Sequence, residues 1–189
     1  LLEVLRRPVP KWLTWTGIVS AFCVAAYTGF LLGVVSAYPL WNNAILPVLF
    51  VVSALSAGLA ATSLVGLITD RERFEQMWLI KKSHVILSAI EMVVLATMLI
   101  IVSSGSPEGA ASVASLVSGQ YAPMFWGGLV LLGLVAPFAI EGYPVFVTRK
   151  VETSTTSMVV SVIGEGGVLV GGFMLRLLVI LAALPVLYL

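Results

Sequence analysis

A chain of 189 residues that is 60% apolar and only 10% charged, with a net charge of +1 and a mean hydropathy of +1.10, cannot cover a water-soluble globule with polar surface. Its apolar residues come in long continuous runs rather than alternating segments of about ten residues, which excludes a transmembrane β-barrel. The sequence therefore predicts an all-α, polytopic transmembrane helix bundle: one integral membrane domain surrounded by lipid, with no nucleic-acid partner.

The opening residues, Leu1-Leu2-Glu3-Val4-Leu5-Arg6-Arg7-Pro8, lack the charged start and cleavage site of a signal peptide and read as a loop entered midway. A span needs about 20 mostly apolar residues, and the first is expected over 12–35. Thr16, Ser20, Cys23 and Tyr27 recur there at helical spacing, so a weakly polar stripe runs along one face. Tyr27 is expected about 15 Å below the end of the span near Pro39, deeper than an interfacial aromatic; Tyr38 and Trp41 take that interfacial part. The Tyr27 hydroxyl needs a partner inside the bundle, either a backbone carbonyl or the carbonyl of a lipid-soluble ligand. Cys23, the single cysteine, reads as a small apolar filler that makes neither an intrachain disulfide nor an iron–sulfur cluster.

The second span is expected over 44–69. Its stripe of Ser53, Ser56, Ala60 and Ser63 has the composition of a tight helix–helix seam, and packing is the reading it receives. The third span, 83–102, carries His84, Ser88 and Glu91 at i, i+4 and i+7, which share a face that cannot look at lipid. His84 is the single histidine, so the sequence offers no facing pair of histidines for haem, and neither haem nor metal is expected.

The connection 103–123 is rich in Ser, Gly and Ala, carries Glu108 as its one charge, and either lies flat on the membrane or supports a partner. The fourth span, 124–141, contains Pro137, which removes the bond to Gly133 and is expected to bend the helix. Glu141 closes that span beside Tyr143-Pro144 as an interfacial residue or a buried one.

The fifth span, 158–184, carries Glu165 and Arg176 on one stripe. They lie eleven residues and about 16 Å apart, too far for a direct ion pair, so each needs a partner on a neighbouring helix or through water. Gly167-x-x-x-Gly171 on the same helix lets another backbone approach closely.

Basic residues give the orientation. Arg6, Arg7 and Lys11 precede the first span; Arg71, Arg73, Lys81 and Lys82 join the second and third; Arg149 and Lys150 join the fourth and fifth. The connections 38–43 and 103–123 contain neither Lys nor Arg. The positive-inside rule places the basic side in the cytoplasm, so the chain starts inside and ends outside.

Ionisable groups inside a span cost about 2.5–3.5 kcal/mol each and mark a bundle interior, a water-filled cavity or a proton path. Glu91, Glu141, Glu165, Arg176 and His84 are the candidates. They form either a buried network that fixes helix register or a proton route into the membrane.

The run Tyr27-Thr28-Gly29-Phe30-Leu31-Leu32, followed by Pro39-Leu40-Trp41-Asn42-Asn43, Leu46-Pro47-Val48-Leu49-Phe50 and Ser53-Ala54-Leu55-Ser56-Ala57-Gly58, closely resembles the NrfD/PsrC family of quinone-interacting membrane subunits. Gly171-Gly172-Phe173-Met174-Leu175-Arg176 is similar to that family's final span. The resemblance implies the last five of eight spans, in the cytoplasmic membrane of a bacterium or archaeon. It implies a haem-free subunit of a respiratory oxidoreductase complex that exchanges electrons between menaquinone or ubiquinone and a ferredoxin-like iron–sulfur subunit. The further partner it implies is a molybdopterin catalytic subunit or a multihaem cytochrome c. It also implies that Tyr27 is a quinone contact, near the face where the iron–sulfur partner docks.

A purely structural anchor for a peripheral enzyme and a small ion or solute transporter are the alternatives. The transporter would carry an internal repeat with paired broken helices, which these spans lack.

Overall fold

The computed structural model describes residues 10–69, 78–143, 146 and 155–186. Arg6, Arg7, Arg71, Arg73, Pro144, Arg149 and Lys150 lie outside the described residues. Five helices are long and apolar enough to cross a membrane: α1 (Lys11–Gly33), α2 (Ile45–Thr69), α3 (Trp78–Gly105), α5 (Met124–Tyr143) and α6 (Thr155–Leu181). A shorter helix, α4 (Pro107–Val117), joins α3 to α5. The expected all-α transmembrane bundle is the fold of this protein.

Backbone polar groups in a bilayer must bond within their own helix, which long runs free of mid-span breaks allow. α5 packs most extensively against α6, α2 packs against α3 and α6, α3 packs against α5, and α1 lies on α2. The α5–α6 contact is backbone against backbone: a Cβ added at Gly133 would stand 2.5 Å from the Gly171 Cα, and one at Gly167 would stand 2.5 Å from the Leu132 carbonyl oxygen. The Gly167-x-x-x-Gly171 pair therefore does admit a neighbouring backbone, and α5 supplies it. At the α1–α2 crossing, Gly29 lies against Pro47, where a Cβ would stand 2.5 Å from the Pro47 Cα. That contact accounts for the glycine in the Thr28-Gly29 pair.

The connection after α3 is more ordered than expected. Ser106 caps α4 by accepting a bond from the Gly109 N–H, Pro107 takes the first turn and Glu108 sits beside the positive end of the helix. Ser112, fully buried, accepts a bond of 3.1 Å from the Leu184 N–H.

The loop between α1 and α2 folds back on the bundle. Trp41 donates its indole N–H to the Val179 carbonyl at 2.7 Å, Val186 N–H bonds the Ala37 carbonyl at 2.8 Å, and Asn43 Oδ1 receives the Ile45 N–H at the start of α2. Trp41 is thus a tie between segments as well as an aromatic near a helix end.

In α5, the effect of Pro137 is a change of hydrogen-bonding register. Met124–Val135 is π-helical and Ala136–Tyr143 is α-helical. The Ala136 N–H still bonds the Leu131 carbonyl in the wide register, and Pro137, with no N–H, donates in neither.

The apolar core, with Leu40, Leu46, Leu49, Phe50, Met98, Leu129 and Leu178 among its members, fills the half of the bundle near the α1–α2 loop and α4. The other half is lined differently.

Candidate functional site

Three ionisable side chains from three helices meet in that second half. His84 is in the second turn of α3, Glu141 in the last turn of α5 and Glu165 in the third turn of α6; they are 2%, 5% and 4% exposed. His84 Nε2 stands 3.5 Å from Glu165 Oε2 and His84 Nδ1 stands 3.9 Å from Glu141 Oε2. Both imidazole nitrogens and one oxygen of each carboxyl are buried without a hydrogen-bond partner. The charge of Lys81, one turn before His84, acts on both carboxyls. Glu141 is therefore part of the buried group rather than an interfacial residue.

A second group lies two turns further along α3. Glu91, 4% exposed, sits beside Ser53 and Ser56 of α2 and within the field of Arg176 of α6. Helical side chains lean toward the N-terminus of their own helix, and Arg176 does so: its Nη1 donates to the Gly172 carbonyl at 2.8 Å, and its guanidinium carbon lies 5.5 Å from the Phe50 ring centre. Glu165 and Arg176 thus each find different neighbours on other helices, as their separation requires.

Ser88 of α3 is buried between the two groups, and Ser63 of α2 flanks Glu165. The Ser53, Ser56 and Ser63 hydroxyls make no hydrogen bond of normal geometry, although all three face the carboxyls. The seam of small residues on α2 is therefore more than packing: the same stripe that lets α3 and α6 approach turns hydroxyls toward their carboxylates. What marked these serines in the sequence was their helical spacing, shared with the carboxylates they meet.

Arg176 also borders an open cleft of about 560 Å3 between α1 and α2, lined by Ser20, Ala21, Val24, Ala25, Thr28 and Ala54. Its walls are apolar except for two hydroxyls and the guanidinium. Tyr27 is next to Thr28 in sequence, but it is turned about 100° from it around α1, outside this lining. It is 61% exposed, and Cys23 is exposed too. Thr16, Cys23 and Tyr27 are exposed on α1, the least buried of the five spans, and Ser20 of the same stripe borders the cleft toward α2. Cys23 is therefore not a filler within these helices, and Tyr27 lies on the surface of the five-helix bundle rather than within it. Because α1 ends at Gly33, Tyr27 is six residues, about 9 Å, from the end of its helix.

The protein is 28% identical over 166 residues to the "Protein NrfD homolog" of Haemophilus influenzae, a match that takes in 87% of this sequence and 50% of that protein. It is 30% identical over 182 residues to "Protein NrfD" of Escherichia coli, with 94% and 54% covered. It is 33% identical over 128 residues to a subunit of the polysulfide reductase of Wolinella succinogenes, with 65% and 40% covered. The sequence spans about half the length of the curated relatives it matches or less, and no solved structure matches it significantly. The family model described as "Polysulphide reductase, NrfD" matches residues 1–187, and the protein belongs to that family.

Proposed function

We propose that this protein is part of the membrane subunit of a respiratory oxidoreductase, exchanging electrons between membrane quinone and an iron–sulfur partner subunit and conducting protons along the α2–α3–α6 seam. The observation that carries the reading is the succession of buried polar side chains. It starts at His84, Glu141 and Glu165 near the end bearing Lys81, passes Ser88, Ser56, Ser53 and Glu91, and reaches Arg176 at the cleft beside α1. Membership of a family with a relative named for polysulfide reduction supports a place in a reductase complex.

Reducing a quinone requires two electrons and two protons, and the residues divide that work. Tyr27 presents a phenolic O–H on the outer face of α1 and donates to a quinone carbonyl. Arg176 holds a fixed positive charge beside the cleft, where negative charge developing on an oxygen is stabilised. A cleft of about 560 Å3 is within the range of about 300–1,000 Å3 usual for small-molecule sites. Glu165, Glu141, His84 and Glu91 pass protons between the Lys81 end, which is cytoplasmic in this reading, and the Arg176 level. The iron–sulfur partner, itself serving a molybdopterin subunit or a multihaem cytochrome c, docks on the opposite face, near Tyr27.

The test uses the full-length complex in liposomes. Glu165→Gln is expected to cut proton uptake during quinone reduction by about tenfold or more. Normal turnover with unchanged proton stoichiometry would remove the seam from proton transfer. A complex that binds no quinone analogue would make the protein a structural anchor.

A further inference from the structure

We infer that His84, Glu141 and Glu165 form a binding site for a divalent transition-metal ion of the Zn2+ type. The quinone and proton reading does not require such a site, but the site uses three residues of that proton route, so an ion bound there closes the route at its Lys81 end. One imidazole nitrogen and two carboxylate oxygens make a donor set suited to such ions. One ligand atom from each residue lies within 4.8 Å of the other two. Metal–ligand bonds of about 2.0–2.2 Å put the ligand atoms of a tetrahedral site about 3.4 Å apart. The His84 Nε2 to Glu165 Oε2 separation of 3.5 Å is already at that value. Rotating side-chain torsions of Glu141 closes the rest.

A second observation points the same way. The His84 ring is 2% exposed and neither of its nitrogens has a hydrogen-bond partner, nor has the facing oxygen of either carboxyl. Four buried polar atoms directed at one another and left unbonded are costly in a membrane interior. A cation takes a lone pair from one imidazole nitrogen and from one oxygen of each carboxyl, which serves three of the four atoms and leaves the other ring nitrogen, as an N–H, to the Leu59 backbone beside it. A proton shared between the carboxyls would serve only one pair of the atoms.

Formal charge agrees with a cation. Two carboxylates are opposed by Lys81, which leaves the group net negative when both are ionised. Three protein ligands leave the fourth position of a tetrahedral ion for water. Entry is short, because His84 lies six residues, about 9 Å, from the start of α3, and Glu141 two residues from the end of α5.

The experiment is equilibrium binding of Zn2+ and of Co2+, the latter followed by its visible absorption, to the purified full-length complex without quinol turnover. The expected result is one site per subunit, with a tetrahedral Co2+ spectrum, weakened about 100-fold or more by His84→Asn and by Glu165→Gln. Glu91→Gln, two turns away, is expected to leave the binding unchanged. Glu165→Gln preserves shape, so a folding failure in His84→Asn does not blunt the test. Absence of a site in the wild type, or a site equally strong in both ligand variants, overturns the inference. Because no turnover is measured, failure here is distinct from failure of the proton route, which is read from proton stoichiometry.

Discussion

The α2–α3–α6 seam and the outer face of α1 carry comparable polar residues under opposite conditions. On the seam, Ser53, Ser56, Ser88 and Glu91 are at most 4% exposed and have each other, or Arg176, for company. On α1, Thr16, Cys23 and Tyr27 follow the same helical spacing but are exposed outside the contacts of the other four spans, and only Ser20 of that stripe borders the cleft toward α2. Between apolar helices in lipid there is little hydrophobic drive, so close approach of small residues and polar contacts hold the bundle together. Polar groups on the seam are therefore tied to folding as much as to chemistry. Those on the face of α1 are free of that duty, and substitution there separates function from stability.

Five substitutions test that contrast, beginning with the largest effect. Gly133→Leu drives a side chain into the Gly171 backbone and is expected to destabilise the bundle by about 3 kcal/mol, visible as loss of assembled subunit and a lower melting temperature in detergent. Gly17→Leu on α1, where nothing lies within 4 Å, is expected to leave both unchanged; equal losses in the two variants would abolish the distinction between the packed helix contacts and the outer face of α1. Arg176→Gln removes the charge between Glu91 and the cleft. It is expected to destabilise by about 2 kcal/mol, as loss of a hydrogen-bonded charge does, and to slow quinol oxidation as well, by stopped-flow assay.

Tyr27→Phe is expected to slow quinol oxidation about tenfold, the equivalent of about 1.4 kcal/mol in a bond to a developing charge, with no change in melting temperature. Unchanged kinetics would take Tyr27 out of the quinone site. Trp41→Phe has the smallest expected effect. It removes the indole bond to the Val179 carbonyl and is expected to lower stability by about 1 kcal/mol, measured by unfolding in detergent, with quinol oxidation intact.

Much of the architecture was legible in the sequence because hydropathy and length report directly on the membrane. The Gly167-x-x-x-Gly171 pair announced a close backbone contact, and the separation of Glu165 from Arg176 announced two sets of partners. The α4 helix was not foreseen, because the small polar composition of 103–123 reads equally as loop. The π-helical register of Met124–Val135 has no marker in a uniformly apolar run; Pro137 marks only where it ends.

The site was legible in its parts but not in its assembly. Periodicity places His84, Ser88 and Glu91 on one face of α3, and it says nothing of what that face meets. Glu141 seemed interfacial because it closes its span, whereas α3 and α6 bury it. Tyr27 seemed an interior residue because a hydroxyl so deep in a span needs a partner, but a stripe of weakly polar residues leaves the rotation of α1 about its axis unspecified.

By itself the sequence determined that the protein lives in a membrane, how many times these residues cross it, and which few are too polar for lipid, since each follows from the transfer energy of individual side chains. The tertiary structure alone decided that His84 meets Glu141 and Glu165, that the α2 serines face carboxylates, and that Tyr27 looks outward. The rotation of each helix against its neighbours is set by backbone contacts such as Gly29 with Pro47 and Gly133 with Gly171, which are properties of pairs of helices and of no single segment.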